Sequence, residues 1–105
     1  MALDLEAIER IKQLKARYFR GMDTANMDVL RACFTENATL GFYGSNYTLE
    51  FNGIDEIVAF YHNNFHEKVA AAHMGHHPEI TVDGDNATGL WYLQDVFYEL
   101  AKGVK

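Results

Sequence analysis

Residues 73–100 have the sequence HMGHHPEITVDGDNATGLWYLQDVFYEL, two runs of strand-forming residues on either side of a turn. The turn is Asp-Gly-Asp-Asn at residues 83–86, a cluster that favours a tight reversal of the chain. The flanking runs, His73 to Val82 and Ala87 to Leu100, are therefore predicted to pair as an antiparallel hairpin.

The second strand of this hairpin carries an acidic residue in an unusual position. Side chains alternate between the two faces of a strand, so Asp95 shares a face with Trp91, Leu93 and Phe97. A carboxylate on an apolar face costs free energy unless it is paired or protonated, and such acids are candidate functional groups. The alternative interpretation is that the other face of the strand packs on the core and that Asp95 is solvated.

The hairpin register decides whether His73 joins Asp95. With a three-residue loop, Gly75 faces Asp95 and His73 faces Phe97, which makes His73 and Asp95 diagonal neighbours on one face. With a two-residue loop the pairing moves by one residue, and the two side chains lie on opposite faces. Pro78 cannot donate to the ladder and is a candidate bulge, which would change the register again. Beside a carboxylate, His73 would suit a general base; a structural histidine is the plainer interpretation.

Helices and further strands are predicted before the hairpin. Apolar residues from Leu5 to Met22 recur at helical spacing, and Asp4 precedes them as an N-cap. Asn26 is the expected N-cap of a second helix. The other predicted elements are a short helix, two short strands and a third helix, at residues 27–34, 38–43, 47–51 and 54–65. The element order is therefore α-α-β-β-α-β-β, which is an α+β fold.

Composition and charge limit the classes of function. The chain has 105 residues, 49% of them hydrophobic, and a formal net charge of −6, so one domain with a real core is expected. The acidity argues against nucleic acid or an anionic membrane as a partner, because both require a basic face. The sequence shows neither a secretory leader nor an apolar run of membrane-spanning length, so a cytoplasmic protein is expected. Its single cysteine, Cys33, allows no intramolecular disulfide and is expected to be a buried thiol.

Two other sets of residues are candidates for chemistry. Tyr18 lies on the apolar stripe of the first helix, and its plainer interpretation is an aromatic residue of the core. Asp23 lies at the end of that helix, and its plainer interpretation is a carboxylate that stabilises the turn. The histidines invite a metal interpretation; they are His62, His66, His73, His76 and His77. That interpretation is the weaker one, because alternation points His76 away from His73 and His77, and the sequence has no HExxH motif. Phosphate-loop, nucleophile-elbow and dinucleotide motifs are also absent from the sequence.

Three segments carry a resemblance to a known family. They are LEAIERIKQLKARYFRGMD at residues 5–23, HMGHHPEITVD at residues 73–83 and ATGLWYLQD at residues 87–95. They resemble the SnoaL-like proteins of the NTF2-like superfamily, most of all the bile acid 7α-dehydratases and, more distantly, scytalone dehydratase. The resemblance implies a cone-shaped α+β fold in which N-terminal helices pack on a curved, mostly antiparallel sheet.

The resemblance also implies a catalytic set. In those dehydratases the pocket uses a tyrosine and an aspartate on the first helix, a histidine on the third strand and an aspartate on the fourth. The matching residues here are Tyr18, Asp23, His73 and Asp95. The implied base is His73, which would remove a proton α or vinylogous to a carbonyl while Asp95 or Asp23 orients its ring. The implied reaction uses no cofactor or metal. Tyr18 would hydrogen-bond the enolate, and it or the protonated base would assist the departure of water.

The sequence departs from this family in two respects. The last strands of the family, which close the cone and in the bile acid enzymes supply a pocket arginine, are missing. Residues 102–103 are predicted to form a turn into a further strand, so a single SnoaL-like domain at 1–105, truncated at its C-terminus, is expected. Scytalone dehydratase has a second histidine near the position of Trp91, so the catalytic pair of that enzyme does not transfer to this sequence.

The function implied by the resemblance is that of a dehydratase acting on a hydrophobic, steroid-like or polycyclic hydroxy-carbonyl compound. Five aromatic residues are expected to line its pocket: Phe42, Tyr61, Phe65, Trp91 and Phe97. A ketosteroid-isomerase-type isomerase and a non-catalytic binding or assembly module are the alternatives, and the isomerase begins with the same proton abstraction. The bare edge of a long strand favours a homodimer or higher homo-oligomer.

Overall fold

The computed structural model describes residues 2–100, which form three helices and four strands. The elements are α1 (Leu5–Asp23), α2 (Met27–Arg31), β1 (Thr39–Tyr43), β2 (Thr48–Asn52), α3 (Ile54–Asn64), β3 (Val69–Asp83) and β4 (Asn86–Glu99). Both the predicted order and the α+β class are confirmed. The turn predicted at residues 102–103 and the strand after it lie outside the described residues. None of the helices within residues 2–100 combines the length and the apolarity that a membrane span requires.

Local capping chemistry sets where the first two helices begin. Asp4 Oδ1 accepts the backbone N–H of Ala7 at 3.0 Å, and Asn26 Oδ1 accepts that of Val29 at 3.1 Å, as the sequence predicted. Helix α2 ends at Arg31 instead of continuing to residue 34. After Arg31 the backbone changes to tighter bonds between residues three apart, which ends the regular helix.

The core lies among the helices. Its buried hydrophobic side chains are Met22, Leu30, Ile57, Tyr61 and Phe65. Helix α2 approaches α1 closely at Gly21, where a Cβ atom would lie 2.9 Å from Leu30 Cγ. The strands add half-buried side chains to this cluster, and most of the long hairpin extends beyond it. The radius of gyration is accordingly 15.2 Å, larger than the roughly 13 Å expected of a compact chain of this length.

The strands form two antiparallel ladders instead of the single curved sheet that the resemblance implied. Within residues 2–100, β1 pairs only with β2, and β3 pairs only with β4. The β1–β2 hairpin packs on α3 through the rings of Phe42, Phe51 and Phe60. Residues of both β1 and β4 line one cavity, and within residues 2–100 no ladder joins these two strands. This separation creates the space in which the candidate site lies.

A bulge sets the register of the long hairpin. The loop has two residues, with Asp83 paired to Asn86, and this pairing continued unbroken would place His73 and Asp95 on opposite faces. The register changes by one residue between His76 and Glu79, where two residues of β3 stand against one of β4.

The bulge contains the two residues whose backbones fit a ladder poorly. Pro78 has no N–H to donate, and His77 has a φ of 49°, in the left-handed region that residues with side chains rarely adopt. Beyond the bulge, His73 pairs directly with Asp95. Of the arrangements that the sequence left open, the diagonal one with Gly75 opposite Asp95 is not found, because the loop has two residues. The bulge at Pro78 offsets the shorter loop and places His73 and Asp95 on one face.

Candidate active site

His73 lies at the centre of the site, and Asp23 holds it from behind. The side chain of His73 is 7% exposed. Asp23 Oδ1 lies 2.6 Å from His73 Nδ1, and Asp23 Oδ2 accepts the backbone N–H of His73 at 3.1 Å. Because an ionised carboxylate can only accept, this contact places the proton of the neutral ring on Nδ1 and leaves Nε2 as the free nitrogen. Asp23 thus makes a tertiary contact, and the plainer interpretation of it as a turn residue is wrong.

Asp95 faces the free nitrogen from the other side. Its Oδ2 lies 3.9 Å from His73 Nε2, which is too long for a hydrogen bond and short enough for a charge interaction. The Asp95 side chain is 54% exposed, whereas Asp23 is mostly covered. The imidazole therefore has one carboxylate that fixes its orientation and a second, more exposed one beside the nitrogen that is free to react.

Aromatic side chains enclose the imidazole. The ring of Phe19 is stacked on that of His73 at a centroid distance of 6.1 Å and an interplanar angle of 7°. The ring of Phe65 meets His73 edge-on at 5.6 Å and meets Phe97 at 5.8 Å. This apolar surround lowers the local dielectric, which strengthens the interaction between the imidazole and its two carboxylates.

The hydroxyl of Tyr18 is hydrogen-bonded to that of Tyr61. The two hydroxyl oxygens lie 2.5 Å apart, and Tyr61 is only 1% exposed. Burial raises the pKa of Tyr61, and the adjacent Tyr18 hydroxyl raises it further. Burial also raises the pKa of Tyr18, but the hydrogen bond from Tyr61 opposes that rise. Either hydroxyl can donate within the pair, and when Tyr61 donates, the proton of Tyr18 is left for an acceptor in the cavity.

One cavity of about 680 Å³ joins these groups. Tyr18, His73 and Asp95 line it, while Asp23 lies behind His73 and does not. All five aromatic residues expected at a pocket also line it; these are Phe42, Tyr61, Phe65, Trp91 and Phe97. Its volume is in the range of small-molecule sites, which are largely apolar with a few convergent polar groups. The face of β4 that carries Asp95 thus lines the cavity, while the Asp95 side chain itself stays more than half exposed.

A comparison with known families identifies the fold. The sequence model of the SnoaL-like domain family matches residues 3–104 of the chain. The chain belongs to the SnoaL-like family. This SnoaL-like chain is matched to the family as a whole, and the match does not single out the bile acid dehydratases within it. The family includes dehydratases and isomerases, so membership leaves the reaction to be argued from the site.

The structure brings one charged residue into the SnoaL-like cavity that sequence reasoning missed. Lys15 lines the cavity, and its ammonium nitrogen lies over three aromatic rings, at 4.8 Å from Tyr18, 5.2 Å from Phe19 and 5.3 Å from Trp91. A signal was present, because Lys15 lies four residues after Ile11 and three before Tyr18. That spacing places it on the core-facing stripe of α1.

Two other candidates do not join the site of this SnoaL-like chain. Cys33 is half-buried, not fully buried as expected, and its thiol donates to the carbonyl oxygen of Val29 at 3.3 Å; burial raises its pKa. Among residues 2–100, no three histidine, cysteine, aspartate or glutamate side chains converge as a metal site would require. His76 points to the outer face of the hairpin, where it contacts Gln94.

The tyrosine pair makes the stability of this SnoaL-like chain sensitive to alkali. The folded protein holds the phenol protons of Tyr18 and Tyr61 more tightly than the unfolded chain does. Their contribution is therefore complete below the unfolded tyrosine pKa of about 10 and is lost as the pH rises above it. We therefore expect the free energy of unfolding in urea to begin to fall near about pH 10 and to keep falling at higher pH.

A double variant isolates this effect. Replacing both Tyr18 and Tyr61 by phenylalanine should make the alkaline fall smaller, whereas replacing the exposed Tyr92 should leave it unchanged. Cys33 and Lys15 are present in all three proteins, so their own titration largely cancels in the comparison. If the free energy of unfolding falls equally at alkaline pH in the double variant and in the parent protein, the tyrosine pair is not its cause.

Proposed function

We propose that this chain is a cofactor-independent dehydratase that removes water from a hydrophobic, steroid-like or polycyclic hydroxy-carbonyl compound. The observation that supports it most is the clamp on His73: Asp23 fixes the ring, and Nε2 is left free at the wall of an aromatic cavity. A general base needs a free lone pair, a fixed orientation and access to the substrate, and His73 meets the three requirements.

The first step is removal of a proton. His73 Nε2 takes a proton from the carbon α or vinylogous to the substrate carbonyl, and the electrons of that C–H bond move toward the carbonyl oxygen. Asp95, 3.9 Å from Nε2, stabilises the imidazolium that results, and Asp23 stabilises it through Nδ1–H. Because both carboxylates are in place before the reaction, little reorganisation is needed as the charge develops.

The second step expels water. The Tyr18 hydroxyl, polarised by the hydrogen bond from Tyr61, donates to the oxygen of the enolate. As the enolate returns to a carbonyl, its electrons form the new C=C bond and the C–O bond to the leaving hydroxyl breaks. The proton now on Nε2 passes to the leaving oxygen, either directly or through Tyr18, which gives up its own proton and takes the one from Nε2. The leaving oxygen departs as water. The His73 ring then returns to its starting tautomer.

A panel of hydroxy-ketosteroids and smaller polycyclic β-hydroxy ketones tests this function. Each compound is incubated with the protein, and loss of one water is followed by mass spectrometry together with the absorbance of the new conjugated enone. We expect at least one member of the panel to be dehydrated. Light scattering on the same sample reports whether the proposed homodimer or higher homo-oligomer forms.

Two other outcomes would count against a dehydratase. Movement of a double bond with no loss of water would assign the chain to the isomerases, which use the same proton abstraction. Binding of panel members to the cavity with neither reaction would assign it to the non-catalytic binding modules. A protein that neither binds nor converts any member would contradict the proposed substrate class.

A further inference from the structure

Lys15 lies between two cavities. The first is the cavity of about 680 Å³ that holds His73, called the main cavity below, and the second is smaller. The smaller space, of about 290 Å³, is lined mostly by apolar side chains, among them Ile11, Leu14 and Phe34. Four of its lining residues, including Lys15 and Trp91, also line the main cavity. The ammonium group is therefore accessible to a ligand from the cavity that holds His73, and it has an apolar chamber on its other side.

No carboxylate neutralises this ammonium in the part of the chain that the structure describes. The helix offers none, because the positions three and four residues from Lys15 are occupied by Ile11, Lys12, Tyr18 and Phe19. A half-buried lysine without an acidic partner is costly in an apolar wall, and burial lowers its pKa. A group that costs stability at this position is a candidate for ligand recognition.

The surrounding rings favour the charged form of Lys15 over a neutral amine. The negative faces of Tyr18, Phe19 and Trp91 attract a cation, and all three centroids lie within the roughly 6 Å over which this attraction is significant. The rings offer no hydrogen-bond acceptor that would use the three N–H donors of the ammonium. The site is thus a cation held in position with its hydrogen-bonding capacity available to a ligand.

We propose that Lys15 binds a carboxylate of the substrate, so that the ligand of this cavity is an apolar carboxylic acid. The carboxylate lies at the junction of the two cavities, and the apolar body of the ligand lies in the main cavity beside His73. This inference rests on the proposed function only in that the same cavity holds the substrate. It adds that acids are selected over neutral compounds of the same shape.

The overall charge of the chain opposes the binding of an anion. With a formal net charge of −6, the protein repels anions at long range. A neutral ligand would therefore bind better than its carboxylate analogue unless a local cation reverses the order. In the described cavity lining, Lys15 is the residue that carries such a charge.

Two rigid polycyclic probes of the same shape test the proposal: 1-adamantanecarboxylate and 1-adamantanecarboxamide. Trp91 is the only tryptophan of the chain and lines both cavities, so its fluorescence reports binding of either probe. Charge-assisted hydrogen bonds favour the carboxylate in the parent protein, and we expect it to bind about tenfold more tightly than the amide. Lys15→Met should abolish or reverse this preference, and Lys15→Arg should retain much of it.

Lys12→Met is the matched control, since Lys12 is an exposed lysine one turn earlier on the same helix. It should leave the preference for the carboxylate unchanged. Methionine is apolar and of similar length, so Lys15→Met should fold, and far-UV circular dichroism checks this for every variant. The Lys15→Arg comparison separates the effect of charge from that of packing.

Several results would overturn the proposal. These are equal or tighter binding of the amide by the parent protein, a preference for the carboxylate that survives in Lys15→Met, and failure of the carboxylate to bind at all. The assay needs no turnover, so it is independent of the dehydration test. A protein that prefers the carboxylate but dehydrates nothing would contradict the proposed function and leave the role of Lys15 intact.

Discussion

His73→Gln is expected to lower the rate of dehydration by about 10²- to 10⁴-fold, because the amide of glutamine has no basic nitrogen to take the substrate proton. Glutamine can still donate to Asp23 from its side chain, and the backbone N–H of residue 73 is unchanged, so β3 should stay attached to α1. The measurement is the turnover rate of the best substrate from the panel, together with its dissociation constant. We expect the loss in turnover, with the dissociation constant little changed.

His76→Gln provides the comparison for this experiment. His76 lies three residues further along the same strand, is exposed, and points to the opposite face. Its replacement should leave both turnover and binding as in the parent protein. Should His73→Gln keep turnover within tenfold of the parent protein while remaining folded, another residue must be the base, and the proposed chemistry would be wrong.

Asp23→Asn is the second variant for which a large loss is expected. His73 presents two donors to Asp23, the ring Nδ1–H and the backbone N–H, whereas asparagine has one acceptor oxygen and a donor NH₂ group. The backbone amide cannot move its proton, but the ring can transfer its own to Nε2. The variant should therefore hold the other tautomer, in which Nε2 has no free lone pair. The expected loss in turnover is again about 10²- to 10⁴-fold.

The ring ¹⁵N chemical shifts of His73 report the tautomer directly. In the parent protein the neutral ring should carry its proton on Nδ1, and in Asp23→Asn on Nε2. Asp95→Asn is the contrasting variant: Asp95 is half exposed and lies 3.9 Å from Nε2, so its replacement should keep the tautomer and cost less turnover. A normal tautomer with normal turnover in Asp23→Asn would show that the clamp has no catalytic role.

Much of the local structure could be predicted from the residues alone. Asp4 and Asn26 begin their helices as expected, because an N-cap depends on a side chain and a backbone N–H only three residues away. The turn at residues 83–86 was likewise found from its composition. Lys15 was missed although it lies on the apolar stripe of α1, since a lysine there is ordinarily assigned to the helix surface.

The pairing of the long hairpin was predicted less well. Pro78 marked a candidate bulge, but the sequence did not determine whether the loop has two or three residues. In the structure the two-residue loop and the bulge each shift the register by one, and together they place His73 opposite Asp95. A one-residue difference in either feature would have moved the two side chains to opposite faces.

The elements, their order, the SnoaL-like family and the residue types available for acid–base chemistry can be predicted from the residues, because these depend on local spacing and on motifs. How the groups are used depends on the tertiary structure. It showed that Asp23, not Asp95, holds the His73 ring, that Tyr61 is the partner of Tyr18, and that Lys15 faces the cavity. Asp23 and His73 are fifty residues apart, and a contact over that separation depends on how α1 packs against β3, which no local pattern specifies.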